Sequence, residues 1–449
     1  MIKLFLIAPM KYIKGLIAAA GCLVMLSSSL QAGVKFVSPT GDDAVSAAAN
    51  DIDHPWKTAA KAFTDAAAGD TVYFRAGTYE VTSTINVDGG SVHPVLLTCY
   101  GNEKVLVTGS VAGPIVEIQR QSYTVEGISF SGRGTCFRVG WDRNGSNFAV
   151  RNCSYTMKTG GDNTGFVYAN GLLANGTRVE NCTLIGPGSS AHQNSAGIIA
   201  FRTQQLSILH CEISEFPIAI YYKHANDIDA ITHGTVIEIA HNYVHGTSRY
   251  AMEINANHAN IHDNLFGLNN AGIRFNECNG AAGGDCNLFT HNTLYKTPLG
   301  LSGETDAHDR SYPGAVGNTI SDNIIYGESD KEHKIFDIYR YFTQGDHKTV
   351  SDYNCLYNSV TSNVIAEFGK PYTLSAWSTH AGGDAHSVQS RPVFTNASGR
   401  LDTPADFKLT TASPGYRAAS DGADMGANVD SVGVKGGGTK TPQPGTSKP

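Results

Sequence analysis

The stretch PIAIYYKHAND at 217–227 ends an apolar run with a lysine between tyrosine and histidine, in a chain where only 16% of residues are charged. Two later runs, AMEIN at 251–255 and GIRFN at 272–276, carry a glutamate and an arginine in matching places. If each run is a strand, successive side chains alternate between faces. Ile220, Tyr222, Met252, Ile254, Ile273 and Phe275 then face a core, while Tyr221, Lys223, Glu253, Asn255, Arg274 and Asn276 face outward. Stacking the runs puts Tyr221, Glu253 and Arg274 in one file and Lys223, Asn255 and Asn276 in the next, with neighbours about 5 Å apart.

Such a face has the parts for breaking a uronate chain by β-elimination. That reaction needs the C6 carboxylate neutralised, the C5 proton removed and the leaving oxygen protonated or tolerated. A lysine near an arginine has its ammonium form disfavoured and can act as base; an arginine or a bound cation can hold the carboxylate, and a tyrosine can donate the proton. Solvated strand residues that merely pair across the surface would show the same types. The clustering on three consecutive runs, below the apolar Ile199 and Phe201, is more ordered than that requires.

The elements that must position these residues form a repeat. CFRVG at 136, GFVYA at 165, GIIAF at 197 and GLSGE at 300 align with the three runs above. The shared phase predicts Phe137, Val139, Phe166, Tyr168, Ile198, Ala200, Leu301 and Gly303 inward. It predicts Arg138, Gly140, Val167, Ala169, Ile199, Phe201, Ser302 and Glu304 outward. After each run comes a polar corner: RNCSY, ENCTL, LHCEI, AHNYV, HDNLF, THNTL and SDNII. Their third residues form one column, Cys153, Cys182, Cys211, Asn242, Asn264, Asn292 and Asn323, at intervals of 22 to 31 residues. A coil of about 22 residues with loop insertions of variable length accounts for the spacing. The expected fold is an all-β parallel solenoid with an asparagine and cysteine turn ladder. Asparagine suits it because its amide both donates and accepts and its backbone tolerates left-handed conformations. The three cysteines read as a free, buried stack.

Composition agrees. The 449 residues include 49 glycines, which favours many short turns over amphipathic helices. Residues 1–32 have the basic, apolar and small-residue regions of a secretory signal, which predicts a secreted or periplasmic protein. Without that segment, which holds three lysines and no acidic residue, the net charge moves from −7 to −10. Bulk charge therefore gives no reason to expect nucleic-acid binding, and no other apolar run is long enough to span a membrane. An anionic partner must be met by a local basic cluster. Cys278 and Cys286, closing the short loop ECNGAAGGDC, are the expected disulfide. The β-helix is expected over 33–430, with a disordered Gly- and Pro-rich tail at 431–449. A monomer is expected.

The ladder, the opening VSPTGDD…PWKTAAKAFTDAAAGDTVYFRAGTY and the closing RPVFTNASGRLDTPADFKLTTASPGYRAASDGADMGA resemble the right-handed parallel β-helix of the pectin-lyase-like superfamily. The opening looks like that superfamily's cap helix, Gly-Asp turn and first strand. The fold carries lyases, hydrolases, epimerases and tailspikes. Resemblance to its polysaccharide lyases implies Lys223 as base, Arg274 or Arg249 as carboxylate clamp, and Tyr221 or Tyr250 as proton donor. The same resemblance leaves calcium open as neutraliser, with Glu253 and Asn255 as its ligands. Asn276, His224, Arg202 and Glu304 are further substrate contacts, and the expected partner is an acidic polysaccharide, alginate before pectate. GETDAHDRS at 303–311 resembles the DPHD motif of alginate C5-epimerases, with Ala307 in place of proline. That alternative assigns proton transfer to His308, flanked by Asp306 and Asp309. A hydrolase would use Glu253 and Glu304, but Arg274 between them would keep both ionised. A non-catalytic carbohydrate-binding or surface β-helix completes the alternatives.

Overall fold

The computed structural model describes residues 33–88, 94–225, 236–269, 272–276, 284–302, 315, 317–328, 335–338, 349–367, 370–396 and 401–435. For Ser189, Ala225, Val236, Asn276, Ser302 and Ile338 only the backbone is described. The signal-like segment, Glu304 and the motif of Asp306, His308 and Asp309 lie outside these residues.

Short strands of three to eight residues wind into a parallel β-helix. Each coil contributes one strand to each of three sheets, which hold 12, 12 and 11 strands among the described residues. Neighbours in a sheet are parallel, apart from one closing hairpin between Ile365–Glu367 and Lys370–Tyr372. One apolar core runs the length of the stack, from Val37 and Trp56 near one end to Trp377 at the other. A helix forms at Ala59–Asp65, where Thr58 caps it by accepting from the Lys61 N–H and Phe63 packs on Phe74 and Tyr123. At the far end the hairpin and the helix Leu374–Ala381 cover the last strand edge, which would otherwise offer unpaired backbone groups.

The turn ladder is closed by side-chain amides. Nδ2 of Asn242, Asn264, Asn292 and Asn323 donates to Oδ1 of the next asparagine at 2.9, 3.0, 3.2 and 3.0 Å, ending on Asn354. Each Oδ1 also accepts the backbone N–H of the residue before it in the column. Below them the thiols of Cys211, Cys182 and Cys153 point at the carbonyls of Val179, Val150 and Val125, where the asparagine amides find theirs. All three are free and buried. The left-handed residue is not the asparagine itself but its predecessor: Asn152, Asn181, His210, His241, Asp263, His291 and Asp322 all have φ between 53° and 62°, or 52° for His291. The column side chain must point inward to reach its neighbours, so the chain reversal falls one position earlier.

Two register expectations need correction. Phe137 pairs with Val167 and Val139 with Ala169, so Val167 and Ala169 line the core and Tyr168 faces out. GFVYA is apolar at both phases, and alternation alone cannot decide it. Further along, Gly300 rather than Ser302 lies opposite Arg274, and Ser302 pairs with Asn276. The strand starts two residues earlier than GLSGE suggests. At the C-terminus, the segment expected to be a tail begins as structure: Ser431 to Lys435 lie along the turns, with Gly433 N–H on the His241 carbonyl and Lys435 N–H on Asn181.

Candidate active site

The predicted file exists. In the second 12-stranded sheet, Ile199 lies beside Tyr221, Tyr221 beside Glu253, Glu253 beside Arg274 and Arg274 beside Gly300. Asp337 follows in the same file, a residue the sequence reading missed. Among the described residues, a Cβ on Gly300 would meet one atom within 4 Å, the Ile273 carbonyl oxygen at 3.7 Å. Ile199, Ala196, Ile218 and Tyr221 pack as a separate apolar cluster outside the helix, with Tyr168 and Tyr250 against it.

Lys223 sits where the strand Ile218–Ala225 bulges. Tyr222 pairs with Ile254 and Ala225 with Ala256, so Lys223 and His224 together face the single Asn255. His224 takes up the extra length with φ 53°, and its N–H donates to Asn255 Oδ1 at 2.8 Å. Bulges of this kind re-aim a side chain. Here Lys223 reaches back along its own strand: Nζ lies 4.0 Å from the centre of the Tyr221 ring and donates to Asn163 Oδ1 at 2.6 Å. A cation over a tyrosine face is attracted by the ring quadrupole. Asn163 belongs to the loop before the strand Val167–Asn170, and no sequence signal pointed to it.

The other predicted groups converge on the same patch from the opposite strand end. Tyr250 opens the strand Tyr250–Ala256, its hydroxyl 3.4 Å from Arg274 Nη1 and its ring 5.0 Å from the Arg249 guanidinium. Arg249 is held by Asn194 Oδ1 at 2.9 Å and the Gln193 carbonyl at 3.3 Å, a second loop that sequence reasoning missed. Glu253, 5% exposed, is the buried carboxylate among these cations. Arg202 lies over Phe201 at 5.2 Å, and Phe201 meets His224 edge-on at 5.3 Å. Burial, with the Arg202 and Lys223 charges, lowers the His224 pKa below its ordinary 6.5.

The structure brings together Lys223, Tyr221, Glu253, Arg274, Tyr250 and Arg249, with Arg202 and His224 at the strand ends. It separates Asn255, which is 1% exposed and closes the bulge instead of facing a ligand. That removes one of the two oxygens expected to bind calcium. Ca²⁺ needs six to eight oxygen ligands. Among the described residues Glu253 stands between Tyr221 and Arg274 in its file and is the one carboxylate left of the expected pair, so this set does not fit the ion. The three-residue cluster of metal-binding type among the described residues, His241, His262 and Asp263, lies on the turn ladder. Of the expected disulfide, Cys278 is outside the described residues and Cys286 is a free thiol whose pKa burial raises. A cavity of about 440 Å³ under the closing segment is lined by Asp263, Asp421, Asp424 and Asp430. It would repel a polyanion, which singles out the cationic face instead.

No protein-family model matches the chain. A curated relative, pectate lyase PEL9 of Emericella nidulans, is 40% identical over 76 residues, which are 16% of this chain and 18% of that protein. The match therefore spans less than a fifth of the relative's length. Among solved structures, the pectate lyase Pel9A superposes with a TM-score of 0.52 at 13% identity, covering 89% of this chain and 97% of that one. The PL6 family alginate lyase AlyGC gives a TM-score of 0.39 at 12% identity, over 86% of this chain and 58% of that one. The chain thus has the parallel β-helix fold seen in the pectate lyase Pel9A.

Proposed function

We propose that the protein is a secreted polysaccharide lyase that cleaves a uronate-containing chain by β-elimination on the Tyr221–Glu253–Arg274 face. The observation that carries this reading is the convergence of Lys223, Arg249 and Arg274 around Tyr221 and Tyr250 on a chain whose net charge is −7. A local cationic patch on an acidic protein attracts polyanions to that place. Lys223, aimed by Asn163 and the bulge, removes the C5 proton in its neutral form. Arg274, beside Gly300 in the file, pairs with the C6 carboxylate and stabilises the charge that builds up as the proton leaves. Tyr250 is a better proton donor than Tyr221, because Tyr221 is 8% exposed and its ring lies beneath the lysine. Arg249 holds the ring of Tyr250 in place.

Alginate is the favoured polymer, because Lys223, Arg249 and Arg274 converge here while the nearby aspartates, Asp162 and Asp337, stand apart from one another and not as the cluster expected of a calcium-dependent pectate lyase. Pectate is the second reading, supported by the pectate lyase relative that matches 76 residues. Replacing Lys223 by alanine tests the assignment. Turnover falls by about 10²- to 10⁴-fold, the usual contribution of a general base, while polymer binding is largely kept. A variant with unchanged turnover would remove Lys223 from the chemistry, whereas a wild-type protein that binds the polymers and cleaves none would favour a binding module.

A further inference from the structure

The file through Tyr221 continues away from the cationic patch. Ile199, Tyr168, Arg138 and Glu117 follow it coil by coil on the outer face of the same sheet. Here the character changes from charged to aromatic. The Arg138 guanidinium is neutralised by Glu117, with Nε at 3.1 Å and Nη2 at 2.5 Å from its carboxylate. The ring of Trp141 lies 4.7 Å from that guanidinium and edge-on to Tyr168 at 5.7 Å. Trp141 is nevertheless 39% exposed, and Leu172 and Leu173 in the neighbouring turn are 60% and 40% exposed.

The indole is also held in place by its backbone. Gly140, at φ 70°, lies so close to the next turn that a Cβ there would come within 2.6 Å of the Leu173 carbonyl carbon. Gly145 N–H donates to the Leu173 carbonyl at 2.9 Å, so the two turns are stacked. An aromatic ring supported from beneath and beside, with apolar surface left facing solvent, is costly to maintain unless something covers it. The face of a pyranose that carries its C–H bonds suits the negative face of an indole.

We propose that Trp141, with Tyr168 and Leu172–Leu173 beside it, is a distal subsite that takes a sugar ring of the bound polysaccharide by its C–H face. It lies three coils, about 14 Å, from the strand of Lys223. The occupant follows from continuity: Phe201 and Tyr168 bridge the two regions on one sheet face, and a chain lying along the helix axis over Lys223 runs onto Trp141. Because Arg138 is already ion-paired, this subsite reads ring shape and not carboxylate. The identity of the occupant rests on the uronan reading above.

The chain has three tryptophans, and Trp56 and Trp377 are fully buried, so Trp141 is the one placed to report a ligand by its fluorescence. The full chain is titrated with polymannuronate, polyguluronate and polygalacturonate, and Trp141→Ala and Trp141→Phe are compared with wild type. The expected result is a saturable change in emission that disappears in Trp141→Ala. With the cleaved polymer KM rises about tenfold in Trp141→Ala and less in Trp141→Phe, kcat is unchanged, and the shortest cleavable oligomer shows no difference. A fluorescence response without cleavage of any polymer would keep the subsite and sink the lyase reading. Normal cleavage with no change in emission and an unaltered KM in Trp141→Ala would overturn the subsite and keep the lyase. Silence in both would overturn the subsite as well.

Discussion

The turn ladder and the face around Lys223 are both columns of polar side chains repeated from coil to coil, and their composition separates them. In the ladder the neighbours are identical, fully buried and satisfied by one another at 2.9 to 3.2 Å. On the face they differ: a tyrosine, a glutamate, an arginine and a glycine share one file, and Lys223 and Arg249 are held from loops by Asn163 and Asn194 instead of by their stack neighbours. Identical stacking lets each amide satisfy the next and contributes stability. Dissimilar stacking gives unlike charges and donors a common surface, which is what bond cleavage requires.

Substitutions can break this contrast from either side. The largest effect is expected on the face: Arg274→Ala lowers kcat/KM by about 10²- to 10³-fold, as removal of a charge-stabilising donor does, with little change in unfolding. Equal losses of activity and stability would mean that Arg274 is structural. On the ladder the pattern inverts. Asn292→Ala removes an amide that donates to the Ile261 and Thr290 carbonyls and accepts from Asn264, leaving buried groups without partners. A destabilisation of about 3 kcal/mol in denaturant titration is expected, with activity per folded molecule preserved.

A smaller effect concerns pH. Burial, opposed by Asp263 and helped by His210, His262 and Lys435, lowers the His241 pKa below 6.5, while hydrogen bonding to Asp263 raises that of His262. As pH falls below about 6.5 the unfolded chain takes a proton at His241 that the folded chain refuses, so this group's effect is to reduce stability toward acid. His262 acts oppositely: its stabilisation is complete below its unfolded value and is lost as pH rises through its raised folded value. His241→Phe should therefore flatten the decline in melting temperature between about pH 7 and about pH 5, and an unchanged profile would exclude His241 as a source. The smallest effect belongs to the lower ladder. Cys182→Ala, losing weak thiol contacts to the Val150 and Glu180 carbonyls, should cost about 1 kcal/mol, clearly less than Asn292→Ala.

Much of this was legible in the sequence because a solenoid writes its geometry as a period. The asparagine column, the stacked cysteines and the file Tyr221–Glu253–Arg274 follow from spacing and alternation, which the backbone obeys wherever one face is buried. Alternation failed where it carries no information: both phases of GFVYA are apolar, and GLSGE gives no mark of where its strand begins. The bulge at Lys223–His224 was invisible too, since one extra residue in a strand leaves no compositional trace. That bulge takes Asn255 out of the predicted ligand set and turns Lys223 back over Tyr221. Asn163 and Asn194 were missed for a different reason. They act from loops 60 and 55 residues from the side chains they hold, and only the folded stack brings them near.

β-Elimination from the Lys223 face can be followed by ultraviolet absorbance while the protein without residues 1–32 is incubated with alginate, polymannuronate, polyguluronate and polygalacturonate, each with a chelator present. New C4–C5 double bonds absorb there. A steady rise on at least one uronan that persists with chelator and is lost in Lys223→Ala is expected. No rise on any uronan, or a rise that Lys223→Ala leaves intact, would contradict it.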